Sequence, residues 1–183
     1  MKKTFMKFLS LFLLVSQYAC AQKKLLLEEK FIYFLNSYQS DSLETLLTDD
    51  FELVRNYSNF KNDRSTFLND YILHSKAYNG KYEILKTLKT NQFLVEDRSD
   101  YFKYLKIENP KWIFTFFTSN DKINLLNIDS TKGYSKFQSE IRKENLYFDN
   151  WIKEKHPEIT LQKISNSDGL LLQLLKEYNQ ENK

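Results

Sequence analysis

Residues 112–123 read Trp112-Ile113-Phe114-Thr115-Phe116-Phe117-Thr118-Ser119-Asn120-Asp121-Lys122-Ile123. Aromatic and β-branched side chains fill the first six positions, and such residues favour the pleated backbone of a sheet. Asn120-Asp121 is a two-residue hairpin signal, because both residues tolerate the left-handed backbone that a tight turn requires. The pattern predicts a strand over 111–118 that returns through the turn as a second strand over 123–129. The first strand is apolar on both faces. Both then need cover, one from helices and the other from a partner subunit in a homodimer.

Upstream, Leu27, Phe31, Phe34, Leu35 and Tyr38 recur at the spacing of one helical face across 25–38. Asp41, three before Glu44, is a capping-box-like start to a short second helix with Leu43, Leu46 and Leu47. Thr48-Asp49-Asp50 ends it. Phe51, Leu53 and Tyr57 then share one side of a strand, with Arg55 the polar exception, and Ser58 to Asp63 reads as a polar turn. Phe67, Leu68, Tyr71, Ile72 and Ser75 mark a third helix over 64–76. After Asn79-Gly80, Tyr82 to Lys89 and Gln92 to Glu96 read as one long or bulged strand. Tyr101 to Glu108 reads as another, with Glu96, Asp97 and Asp100 in a solvated turn. Downstream of the hairpin, Tyr134, Phe137, Ile141, Phe148, Trp151 and Ile152 line a helix over 134–155, which should pack on the sheet through Phe137, Phe148 and Trp151. His156-Pro157 ends it. A last helix uses Leu170, Leu171, Leu174, Leu175 and Tyr178.

The order is helix, short helix, strand, helix, then a meander closing in an aromatic hairpin. It resembles the nuclear-transport-factor-2-like superfamily, which includes the SnoaL-like, polyketide-cyclase-like proteins. Three pieces carry the resemblance: Leu46-Leu47-Thr48-Asp49-Asp50-Phe51, Ser65-Thr66-Phe67-Leu68, and Trp112 to Phe117 turning through Asn120-Asp121-Lys122. Lys122 stands where the family often has Gly. The resemblance covers about residues 25–130. It implies an α+β fold, a cone-shaped curved antiparallel sheet with N-terminal helices, to which residues 134–183 add a C-terminal helical extension. That cone hosts enzymes, ligand binders and protein-binding modules alike, so fold alone does not name the function.

Composition narrows the classes. The chain has 183 residues, 42% hydrophobic and 16% aromatic, enough for the core of a single domain. One Cys excludes an internal disulfide framework, and two His with no metal-ligand spacing leave a metal site unexpected. Three scattered Gly build no phosphate loop, and no cofactor is expected. No Gly-x-Ser-x-Gly elbow is present.

The first 21 residues read as an address, ahead of a single domain over 22–183. Lys2, Lys3 and Lys7 precede the apolar run Phe8 to Val15, and Ala19-Cys20-Ala21 follows. Small residues three and one before the cut suit a signal peptidase. The run is too short to span a bilayer, which takes about 20 residues. A bacterial protein sent to the periplasm or secreted is expected. The alternative is lipidation of Cys20, an outer-membrane lipoprotein, and membrane contact by that route alone. Lys2, Lys3 and Lys7 supply all three net positive charges of the chain, and removing them leaves a neutral mature protein. That balance excludes a nucleic-acid partner, which demands a basic excess.

Enzymes of the resembled fold place Asp, Tyr or His side chains inside the cone. Arg55, Tyr71, His74 and Asp129 are the candidate pocket residues here. No set of residues matches a catalytic motif. The expected function is a non-catalytic module for a small apolar molecule or a protein partner. The alternative is a cofactor-free acid–base enzyme of isomerase, cyclase or dehydratase type. The address is checked by mass spectrometry of the protein from its native membrane and soluble fractions. A chain starting at Gln22 is expected, a diacylated Cys20 identifies the lipoprotein, and an intact Met1 contradicts both.

Overall fold

The computed structural model describes residues 26–165 and 167–182. The amino-terminal address, Cys20 included, lies outside the described residues. Two helices open the fold, α1 (Leu27–Asn36) and α2 (Ser40–Leu46), and β1 (Leu47–Arg55) and β2 (Phe60–Asp63) follow. Helix α3 covers 64–77: an opening turn Arg64–Thr66 capped by the Asp63 carboxylate, a π-helical stretch Phe67–Tyr71, and an α-helical end Ile72–Ala77. The hairpin β3 (Lys81–Lys89) and β4 (Gln92–Arg98) leads to the short helix α4 (Asp100–Tyr104). Then come β5 (Lys111–Ser119), β6 (Lys122–Ser130), α5 (Tyr134–Lys155), α6 (Leu161–Ser165) and α7 (Asp168–Glu181). No helix among the described residues is long and apolar enough to cross a membrane.

The six strands form one curved, unclosed sheet in the order β2-β1-β6-β5-β4-β3. Its pairings are antiparallel except that β1 and β6 run parallel. The expected aromatic hairpin is β5–β6, and Asn120 and Asp121 both take positive φ, at 51° and 59°. Trp112, Phe114 and Phe116 point to the core. Ile113 and Thr115, on the other face, are part-covered, and Phe117 keeps 41% of its surface exposed.

Three local readings are corrected. Residues 82–96 are not one strand but a hairpin whose register slips at Ile84/Lys86 and Thr87/Lys89. Residues 60–63 are not a turn but the strand that pairs with β1. Residues 101–108 carry no strand. Ser99 caps α4 there by accepting from Phe102 N–H, and a local Ser cap outweighs β-prone aromatics that have no edge to pair with.

The described residues hold two hydrophobic cores. In the first, α1 and α3 lie in the hollow of the sheet: the Phe31 ring stacks on Phe67 at 5.8 Å and meets Phe116 edge-on at 5.5 Å. The second joins Phe148, Trp151 and Ile152 of α5 to Leu174 and Leu175 of α7 and to Leu105 and Ile107. Of the three aromatics expected to pack α5 onto the sheet, only Phe137 does, edge-on to Trp112 at 5.9 Å. Phe148 and Trp151 serve the second core. Leu146, on the opposite side of α5, is 58% exposed. Phe148→Ala should therefore cost about 3–5 kcal/mol of stability by leaving a cavity. Leu146→Ala should stay within about 0.5 kcal/mol. Urea denaturation of both variants checks the pair.

Candidate functional site

Side chains alternate faces along a strand, so inward positions recur at every second residue. On β1 the inward series is Phe51, Leu53, Arg55; on β4 it is Phe93, Val95, Asp97; on β3 it ends at Tyr82; on β5 it ends at Trp112. The apolar members are core. The last member on β1, β3 and β4 is polar, and register brings these ends together: Tyr82 lies directly across from Asp97, and Val95 across from Trp112. Arg55, Tyr82 and Asp97 thus meet at the end of the hollow that the helices leave unfilled. An open cavity of about 680 Å³ lies there. Its walls come from α3, the β1–β2 hairpin, β3, β4, α4 and α7, and include Phe60, Tyr71, Tyr78, Tyr101, Phe102 and Leu171.

The polar groups are linked. The Tyr71 and Tyr82 hydroxyls share a hydrogen bond of 2.5 Å. Arg55 Nη2 donates to the Tyr71 oxygen at 3.5 Å. Two hydroxyls that share one hydrogen bond keep one O–H for a further acceptor. Trp112 Nε1 donates weakly to Asp97 Oδ2 at 3.4 Å, and Tyr57 stacks on the same indole at 4.6 Å. The Asn62 side chain is buried at the cavity wall with no partner for its Oδ1.

Local structure fixes these positions. The π-helical stretch ends at Tyr71, and such insertions re-aim side chains at sites. Helix α3 leaves through Asn79 at φ 51°, a left-handed exit that Asn tolerates. Gly80 follows because a Cβ there would stand 2.6 Å from Ser75 Oγ. Asn36, at the end of α1, pairs with the Tyr82 backbone through two 2.7 Å hydrogen bonds, and so holds β3 against the helices.

Asp97 keeps some accessible surface because it faces the cavity, but protein atoms crowd it on its other sides. Burial pushes its carboxyl up from 3.8 to about 6, against the opposing pull of the Trp112 N–H and the Arg55 charge. Burial also lifts the Tyr57 phenol to about 12 and the Tyr82 phenol well above its usual value. Both phenols are therefore neutral donors at pH 7.

Of the four residues expected at a pocket, Arg55, Tyr71 and His74 line this cavity. His74 sits exposed at the rim, edge-on to Tyr78 at 4.8 Å. Asp129 does not join them. It is out of phase with the inward Ile128, and its Oδ1 accepts from Asn56 Nδ2 at 2.7 Å. Asp97, expected in a solvated turn, belongs to the cavity instead. The Phe93, Val95, Asp97 alternation held the signal, once β4 is carried past Glu96 to Arg98. Among the described residues, no group of three His, Cys, Asp or Glu could hold a metal ion.

The raised Asp97 value gives a pH dependence. Below about 4 both folded and unfolded chains hold the proton. Between about 4 and 6 only the folded chain does, so stability falls as pH rises across that window. Above 6 the fold carries a buried charge, at a cost of up to about 3 kcal/mol. Asp97→Asn should therefore stabilise the protein at pH 8 and leave it nearly unchanged at pH 4. Thermal unfolding of both proteins at the two pH values tests this.

No protein-family model matches the chain, and no curated protein does. Among solved structures, it is similar to an NTF2-like protein from Cytophaga hutchinsonii, at 14% identity and TM-score 0.46 over 63% of this chain and 99% of that one. It is similar to a polyketide cyclase-like protein from Sinorhizobium meliloti, at 14% identity and TM-score 0.46 over 56% of this chain and 92% of that one. It is also similar to a ketosteroid isomerase-like protein from Kribbella flavida, at 12% identity and TM-score 0.45 over 58% of this chain and 76% of that one.

Proposed function

We propose that the protein is an exported module that holds a small, mostly apolar molecule in the cavity at the open end of its sheet. One observation carries the binding reading: the cavity measures about 680 Å³ and its exposed surface is mostly apolar, much of it from Phe60, Tyr71, Tyr78, Tyr101 and Phe102, while Arg55, Tyr82 and Asp97 stand together at the strand ends. Small-molecule sites have this size and this mixture, apolar walls for affinity and few polar groups for orientation. Export is supported by the order of Lys2, Lys3 and Lys7, the apolar run, and Ala19 and Ala21.

A second reading is an acid–base enzyme of isomerase, cyclase or dehydratase type. Asp97 favours it, because a carboxyl raised to about 6 is matched to proton transfer near neutral pH. The spare O–H of the Tyr71–Tyr82 pair is suited to a carbonyl oxygen on which charge develops.

Titration with 2-acetylnaphthalene followed by amide NMR in H₂O buffer, together with incubation of the ketone with the protein in D₂O buffer, addresses both readings. Saturable shifts at residues 71–82 and 97–102 are expected, with no deuterium entering the acetyl methyl beyond the buffer rate. The absence of saturable shifts would remove the binding reading for apolar molecules of this size. Deuterium incorporation that is lost in Asp97→Asn would move the assignment to the enzyme.

A further inference from the structure

Arg55 is a cation that the fold has taken largely out of water without a contacting counter-ion. Among the described residues the one hydrogen bond of its side chain is the 3.5 Å donation to Tyr71, and its buried Nε has no partner. Two aromatic rings lie against the guanidinium, Phe60 at 4.6 Å and Tyr71 at 5.5 Å from the ring centroids. Those contacts stabilise a cation only in part. Asp97 faces the same cavity, yet the two form no ion pair. A guanidinium carries five N–H donors, and most of those of Arg55 have no partner among the described residues. A desolvated, under-paired charge is unfavourable on its own. It becomes favourable when a ligand brings the opposite charge into the same space.

We propose that Arg55 anchors the negatively charged head of the ligand, a carboxylate or similar planar oxyanion on an aromatic or alicyclic body. The proposal rests on the reading of the cavity as a small-molecule site. The chemistry fits the rest of the wall. A guanidinium meets a planar oxyanion with two parallel N–H bonds, which a single ammonium cannot copy. The O–H left over from the Tyr71–Tyr82 pair is one more donor on the same side. Phe60, Phe102 and Leu171 offer the body an apolar surface. The competing occupant is an organic cation, which the aromatic rings, Asp97 and the exposed Asp70 at the wall would attract and Arg55 would repel.

Three probes of one shape separate these occupants: 2-naphthoate, the neutral 2-acetylnaphthalene and 2-naphthylmethylammonium, titrated calorimetrically at pH 7.5 and low salt. Naphthoate should bind about tenfold or more tightly than the ketone, and the ammonium weakest. In Arg55→Met the gap between naphthoate and ketone should close to within about threefold, whichever way the ketone itself moves. If that variant does not fold, Arg55→Lys carries the comparison, since a point charge without the fork should keep only part of the gap. Naphthoate binding no tighter than the ketone, a gap that survives in Arg55→Met, or a preference for the ammonium would each overturn the anchor while leaving the cavity reading intact. Failure of all three probes to bind would overturn the cavity reading and the anchor with it.

Discussion

The Phe31 ring, flat against Phe67 and edge-on to Phe116, decides how deep the helices sit in the hollow of the sheet. All three rings are almost fully buried. Dense cores tolerate neither gaps nor overlaps, so this contact sets the distance between α1, α3 and β5. Phe51 and Phe93 fill in around it, at 5.2 Å from Phe67 and 5.9 Å from Phe116. The aromatic mass is concentrated in one half of the hollow. The strands run on beyond it, and the space over their far ends becomes the cavity. The site is therefore a consequence of where the core stops.

That placement explains the character of the groups at the strand ends. A residue that faces inward beyond the edge of the core is enclosed enough to be perturbed and open enough to meet a solute. Asp97, Tyr82 and Arg55 all occupy such positions. Each alone lowers the stability of the fold relative to an apolar residue, because enclosed polar groups need partners to offset lost hydration. The partners present here are incomplete: a long indole donation to Asp97, a long guanidinium donation to Tyr71, an amide oxygen on Asn62 with nothing to accept from. Arg64 Nε and Asn124 Oδ1 also lack partners elsewhere among the described residues, but at the cavity Arg55 Nε and Asn62 Oδ1 lack them within one set of walls, beside a well-formed hydroxyl pair and Asn36 bridge.

The frame of the fold was legible in the sequence because it rests on periodicity. The stripes at Leu27 to Tyr38 and Tyr134 to Ile152, the 112–117 run and the Asn120-Asp121 turn each carry a local signal that the tertiary structure keeps. The site was legible where a polar residue broke an apolar series, as Arg55 does after Phe51 and Leu53. Asp97 was hidden because Glu96, Asp97, Ser99 and Asp100 have the composition of a turn. Pairing overrides that composition: Asp97 N–H donates to Pro110 O at 2.9 Å, and Tyr82 stands across from it on β3. Asp129 misled for the converse reason, as a polar residue beside an apolar one whose phase in the strand only the register decides. No local pattern could report that Tyr71 and Tyr82 share a hydrogen bond, since a π-helical insertion and a slipped hairpin bring them together.

The carboxy-terminal helices take part in the site without belonging to the sheet. Helix α4 stands between the two cores. Its Tyr101 and Phe102 line the cavity, while Leu105, just past its end, is sealed in the second core with Phe148 and Leu175. Tyr101 is tied to α5 through a 2.5 Å hydrogen bond to Asn145 Oδ1, and Phe102 meets Phe137 edge-on at 5.6 Å. Leu171 reaches the cavity from α7. The rim on this side is thus held by packing that lies outside the cone. A loosened second core would widen the mouth before it disturbed Arg55, Tyr82 or Asp97, which are fixed by strand register. The polar end of the site is a property of the sheet, and α4, Leu171 of α7 and Phe137 of α5 tie the extension to it.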